Sequence, residues 1–258
     1  MRLSTESITK VFAGLRALSE VSVAIDQGEI VGVIGPNGSG KTTLINVISG
    51  VLDPTDGCVR CGEDRWTVRP SHEVARSGIA RTFQNVRLFS EMTVLENIEV
   101  AASGNPATKG WFRPREVSRL ALSRLQLDPH ADTVVSELPY GIQRRVEIAR
   151  AVATHPTFIL LDEPAAGLNE AESDDLLATL LRLRDELGFG ALLVDHDLRL
   201  IMRATDRIYV LNEGKELAHG KPEEVRHDRK VIRAYIGGDD EVAASGDARR
   251  DDETEAEP

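Results

Sequence analysis

The chain has 258 residues, enough for one large domain or two modest ones, and carries a net charge of −11 with 41% hydrophobic and 28% charged residues. From Gly238 onward nine acids face two arginines, so that end alone contributes −7; the remainder is only mildly acidic, which argues against a nucleic-acid-binding surface built from clustered Lys and Arg. No apolar run approaches the roughly 20 residues that cross a bilayer and no secretory leader opens the chain, so a soluble, cytosolic chain is expected.

Strand-like alternation runs to about Val23, and the apolar run Ile30-Val31-Gly32-Val33-Ile34 reads as a buried strand. It leads directly into Gly35-Pro36-Asn37-Gly38-Ser39-Gly40-Lys41-Thr42-Thr43. A glycine-rich turn between a strand and a helix points its backbone N–H groups, with the helix's positive end, at one spot, and this makes a phosphate cradle. Lys41 would reach β- and γ-phosphates and the Thr42 hydroxyl would ligate Mg²⁺. Alone, the motif identifies a nucleoside-triphosphate site, common to kinases, GTPases, helicases and transporters.

Asp53-Pro54-Thr55-Asp56-Gly57 is a turn, and Cys58 to Gly62 is expected to be a short edge strand. Cys58 and Cys61 form a C-x-x-C without a second pair, and an odd separation on a strand turns the thiols to opposite faces. They read as small apolar strand residues, not as a redox or zinc site. Residues 1–85 are thus expected to form an antiparallel sheet and the first part of an ATP-binding α/β core.

Residues 86–142 read as an inserted helical subdomain. Thr93-x-x-Glu96 has capping-box spacing, Ser103 to Pro114 is a loop, and Val117, Leu120, Leu122, Leu125 and Leu127 suggest a second helix. Beyond it, helices over 143–154, with Val146, Ala149 and Ala153 on one side, and 170–187 alternate with the apolar runs Phe158–Leu161 and Ala191–Val194. That is the pattern of a parallel sheet with crossover helices, the second part of the core over 143–237. Arg207–Leu211 with Asn212-Glu213-Gly214-Lys215 predicts a strand and hairpin turn. Residues 238–258 form an acidic tail without apolar periodicity, expected to be disordered.

Four further motifs follow the cradle in order: Ala80-Arg81-Thr82-Phe83-Gln84, Leu138-Pro139-Tyr140-Gly141-Ile142-Gln143-Arg144-Arg145, Phe158-Ile159-Leu160-Leu161-Asp162-Glu163-Pro164, and Val194-Asp195-His196-Asp197. Together they resemble the Walker A, Q-loop, signature, Walker B and H-loop of an ABC-type ATPase over residues 1–237. The resemblance implies a P-loop α/β core with an antiparallel β subdomain and a helical insertion, using ATP and Mg²⁺. It implies that Asp162 holds Mg²⁺ through water with Thr42 and Gln84, that Glu163 activates the attacking water, and that His196 senses the γ-phosphate. An Asp-Glu pair after a strand also suits an ordinary helix start, and a lone His at a strand end suits plain surface. Phe12 matches the place where the family stacks an aromatic ring on adenine, with core packing as its rival. Pro139, Tyr140 and Gly141 would meet the nucleotide of a second ATPase subunit in trans, so a dimer is implied. Pro139 lacks the common serine hydroxyl, Tyr140 replaces a glycine, Ile142 a glutamine, and Asn169 the usual Asp of the following loop.

Ala-Arg-Thr-Phe-Gln at 80–84, Pro-Tyr-Gly with Arg-Arg-Val-Glu-Ile-Ala-Arg within 139–150, Asp-Glu-Pro-Ala-Ala-Gly-Leu-Asn at 162–169 and Val231-Ile232-Arg233-Ala234-Tyr235 look like the G-type ATPase of branched-chain amino acid importers. That implies permease partners, docked where Val86, Leu88, Phe89 and Met92 follow the Q-loop, an indirect link to a substrate-binding protein, and a peripheral place on the cytoplasmic face of the membrane. ATPases of urea or amide importers and of a lipopolysaccharide exporter are close alternatives. A DNA-repair ATPase would need a long coiled coil between Q-loop and signature, a translation ATPase two units in one chain, and a small-molecule kinase would leave the signature helix unexplained.

Overall fold

The computed structural model describes residues 1–104 and 114–235. The opening alternation becomes β1 (Arg2–Phe12) and β2 (Leu15–Val21), joined at Ala13-Gly14, where both residues have positive φ as a tight hairpin turn requires. β3 (Ala24–Asp26) pairs with the start of β1, while β4 (Ile30–Ile34) leaves for a second sheet. After α1 (Lys41–Ile48), β5 (Asp56–Cys61) returns to β1 and turns at Gly62 into β6 (Asp64–Trp66). The Cys58 segment is therefore interior, not an edge: β6 takes the outer position and buries Trp66 to 8% exposure.

The second sheet has the order β11-β10-β4-β9-β8-β7, with β7 (Ile79–Arg81), β8 (Phe158–Asp162), β9 (Gly190–Val194) and β10 (Arg207–Asn212) parallel to β4, and β11 (Lys215–Gly220) antiparallel. Every residue of β4, β8 and β9 is buried, as expected for parallel strands covered on both faces. Val31, Val33, Leu160, Leu192 and Val194 pack toward α1 and the first sheet. Ile30, Ile34, Ile159, Leu161 and Leu193 pack into the core shared with the helices. Each such side chain contributes about 1.5–3 kcal/mol through burial, and this fixes where the strand ends, and hence the site, must lie.

α2 (Ser71–Arg76) precedes β7, and α3 (Val94–Ser103), α4 (Pro114–Arg124) and α5 (Tyr140–Ala153) pack on one another. α3 starts at a full capping box: the Thr93 hydroxyl accepts the Glu96 N–H at 3.3 Å and the Glu96 carboxylate accepts the Thr93 N–H at 2.8 Å. In α4, Val117, Ala121 and Leu122 are buried, but Leu120 is 50% exposed because the helical period carries it to the outer side. α5 begins three residues before Gln143, with Pro139 at its N-cap, where no backbone donor is needed. The expected division at 142/143 falls inside this helix. α6 (Glu170–Leu187), α7 (Leu198–Ala204) and α8 (Pro222–Arg226) complete the layers, and residues 229–235 are helical. Most of the loop expected after Ser103 (105–113) and the whole acidic tail lie outside the described residues. Among the described residues no helix is long and apolar enough to cross a membrane.

Candidate nucleotide site

β4 delivers the chain to Gly35, whose φ of 152° and whose approach to the next strand admit only glycine: a Cβ there would stand 2.1 Å from the Leu211 carbonyl oxygen. α1 then starts at Gly40 with no side-chain cap and no acid in its first turn, leaving its leading N–H groups for a ligand. The Ser39 hydroxyl, 2% exposed, has no hydrogen-bond partner. An orphaned donor beside an uncapped helix start suits a phosphate oxygen. Lys41 is 8% exposed and donates from Nζ to the carbonyls of Gly35 (2.7 Å) and Pro36 (3.0 Å). Burial lowers its pKa, opposed by the Glu163 and Asp162 carboxylates. The Thr42 side chain is exposed and that of Thr43 half-buried on the first turn of α1, while Pro36 and Asn37 lead to Gly38 at the open rim.

Asp162 ends β8 at 2% exposure. Its Oδ2 accepts from Arg81 Nη2 at 3.0 Å, and Arg81 Nη1 donates in turn to Asn46 Oδ1 (2.7 Å) on α1 and to Ser49 Oγ (2.8 Å) at the helix C-cap. Burial lowers the Arg81 pKa, with Asp162 opposing. The pair ties β7, β8 and α1 together. Glu163 stands just past the strand at φ 47°, its N–H donating to the Val194 carbonyl at 2.7 Å. Its Oε2 accepts from Gln84 Nε2 at 3.1 Å and lies 3.6 Å from His196 Nδ1, just outside hydrogen-bond range. Three separate segments thus meet at one carboxylate.

Phe12 is 41% exposed at the tip of the β1–β2 hairpin, with Lys10 Nζ 5.1 Å from its ring centroid. This exposure rules out core packing. Pro139, Tyr140 and Gly141 do not join the cluster around the cradle; they lie beside the loop after Glu163, where Gly141 approaches Leu168 and Glu172. The cleft beside Phe83, about 620 Å³, is not lined by Val86, Leu88, Phe89 or Met92. Phe83, Arg87, Ala101, Glu147 and Arg150 are among the residues that line it, because the Asn97 amide binds both backbone groups of Phe89 and Leu88 turns toward the core. Cys58 and Cys61 are free and buried, and burial raises the Cys61 thiol pKa.

Sequence reasoning passed over Arg81, Arg144, Glu147 and the part played by Tyr235. Arg144 and Glu147 stood only as marks of a branch, although charged residues on an otherwise apolar helix face need partners. The Tyr235 ring packs on the core and lines a cleft with Ile34, so the last described helix lies beside the start of the cradle; burial raises its pKa, opposed by the Gly35 backbone.

Residues 18–166 match the ABC transporter family and residues 215–241 the branched-chain amino acid ATP-binding cassette transporter family. The chain is 42% identical over 248 residues to the high-affinity branched-chain amino acid transport ATP-binding protein BraF of Pseudomonas aeruginosa, covering 91% of this chain and 97% of that one. Among solved structures it resembles the ADP conformation of MJ1267, an ATP-binding cassette of an ABC transporter, with a TM-score of 0.81 and 36% identity over 92% of this chain and 99% of that one. The dimeric post-hydrolysis state of the cassette MJ0796 bound to ADP and Pi gives a TM-score of 0.77 and 28% identity over 85% and 98%.

Proposed function

The chain belongs to the ABC transporter ATPases, and on that premise we propose that it hydrolyses ATP on the cytoplasmic face of the membrane to power uptake of branched-chain amino acids through partner permeases. The observation that carries the chemistry is the meeting of Gln84, Glu163 and His196 at the ends of strands flanking the cradle. The cradle N–H groups and Ser39 bind phosphate oxygens, and Lys41 supplies positive charge between the β- and γ-phosphates. Glu163 takes the proton of the attacking water as its oxygen bonds to phosphorus and ADP leaves; Gln84 and His196 orient that carboxylate and the water. Mg²⁺, held by Thr42, Asp162 and Gln84, would neutralise the charge that develops on the phosphates. Phe12 stacks on the adenine.

Pro139, Tyr140 and Gly141 open a helix whose N-terminal dipole would stabilise the nucleotide of a second ATPase subunit. The cleft beside Phe83 receives a cytoplasmic segment of the permease, and a substrate-binding protein engages the permease from the far side. Affinity purification from detergent-solubilised membranes tests the assembly: a multispanning permease should co-elute, and repeated failure to recover one would sink the docking. Uptake into proteoliposomes holding the whole complex tests the substrate. Leucine, isoleucine and valine are expected to accumulate with ATP turnover, and transport of urea in their place would assign the chain to the other importer branch.

A further inference from the structure

Among the described residues Arg144 is the largest fully buried side chain, on the first turns of α5, and its donors run to three separate segments. Nη1 donates to the Phe83 carbonyl and to Glu147 Oε2, both at 2.7 Å. Nη2 donates to the Gln84 carbonyl at 2.7 Å and the Tyr140 hydroxyl at 3.0 Å, and reaches the Glu163 carbonyl at 3.5 Å. Glu147, also buried, accepts the Phe83 N–H at 3.0 Å, so both backbone groups of Phe83 are fastened to α5. Burial raises the Glu147 pKa, opposed by the Phe83 N–H and Arg144. On its outer side Tyr140 lies across Gly167, where a Cβ would come within 3.0 Å of the ring. One guanidinium therefore touches the backbone of the residue whose side chain holds Glu163, the backbone of Glu163 itself, and the residue that opens the signature helix.

We propose that Tyr140 and Arg144 are positioning residues forming a strut through which the start of α5, facing a second subunit's nucleotide, sets the geometry of the Gln84–Glu163 pair in this chain's own site. The inference rests on the reading above that Glu163 is the base and that α5 faces a second subunit. The guanidinium is rigid and planar and all its acceptors but Glu147 Oε2 and the Tyr140 hydroxyl are backbone carbonyls, so a shift of the α5 start moves both segments of the catalytic pair together. The tyrosine in place of the usual glycine has a use on this account: its hydroxyl completes the strut and its ring bears on the loop after Walker B.

The test uses the assembled transporter in which the second ATPase subunit, whether another chain or a tagged second copy, carries Gln for its own Walker B glutamate, so that turnover comes from the Glu163 site. Tyr140→Phe removes one hydroxyl and keeps the ring. It is expected to lower kcat at that site about tenfold, the scale of one hydrogen bond to a charged group, with KM for ATP within about twofold. Adding Tyr140→Phe to Gln84→Ala should cost nothing further, because both act through one pair. Arg144→Lys, which keeps the charge beside Glu147 but reaches fewer acceptors, should fall between wild type and Gln84→Ala. Full turnover in Tyr140→Phe or additive losses in the double variant would each overturn the strut. Turnover surviving Glu163→Gln would overturn the base assignment and the strut with it, whereas a fully active Tyr140→Phe beside an inactive Glu163→Gln overturns the strut alone.

Discussion

Glu163 holds a positive φ of 47°, a conformation that costs a non-glycine residue roughly 1–2 kcal/mol, and the Val194 carbonyl that binds its N–H keeps it there. The turn puts its carboxylate between Gln84 and His196. Glu163→Gln retains the shape while removing the proposed base, so hydrolysis should fall at least about a hundredfold while ATP still binds and the dimer persists; turnover assays beside an ATP-binding titration check both. Phe12 offers the opposite case. Since it is exposed, Phe12→Ala should leave the unfolding midpoint in urea unchanged and raise KM for ATP about threefold to tenfold, the scale of one lost aromatic stack. A drop in stability with KM intact would point away from adenine.

At the scale of elements, short-range chemistry and packing divide the work. α3 starts where Thr93 and Glu96 cap each other, and Thr93→Ala is expected to cost about 1 kcal/mol, seen as a lower melting temperature. α5 is different: Pro139 gives no side-chain cap, and the helix is fixed by the buried pair Arg144 and Glu147 on the Phe83–Gln84 backbone. The elements were largely legible in the sequence because buried parallel strands and capped helices leave contiguous marks. The start of α5 was not, since a proline at an N-cap resembles a helix breaker until the chain beyond it is seen to coil. Nor was the interior place of β5, because nothing within Cys58 to Gly62 says that three more residues will fold back outside it.

For the molecule as a subunit, the asymmetry between its two ends matters most. Its own cradle, Asp162, Glu163 and His196 are complete, whereas its signature lacks a serine hydroxyl at Pro139 and a glutamine amide at Ile142. On the proposed reading, in a heterodimer this altered signature would close over the other subunit's ATP. One oxyanion-type donor is worth roughly 3–4 kcal/mol, and Gly141 with the helix dipole remains, so the deficit should be smaller. Glu163→Gln here is therefore expected to reduce ATPase activity of the complex more than the equivalent change in the partner does. Steady-state assays of the two single variants measure it; equal losses, or full activity from a dimer of this chain alone, would rule the asymmetry out.

By itself the sequence determined the cradle, the acidic pair at the end of β8, the histidine after β9 and the family that joins them, because each is a strand running into a short turn and its chemistry lies within a few contiguous residues. Only the tertiary structure decided what holds those residues in place. Arg81 meets Asp162 across 81 positions, and Arg144 reaches Phe83 and Gln84 across about 60. Tyr235 comes back to lie beside Ile34, at the start of the cradle, from near the end of the described chain. Such partners share no period and no local motif; they are chosen by which buried charge or hydroxyl the packed sheets bring within hydrogen-bond reach, and an unpaired one would cost too much to remain buried.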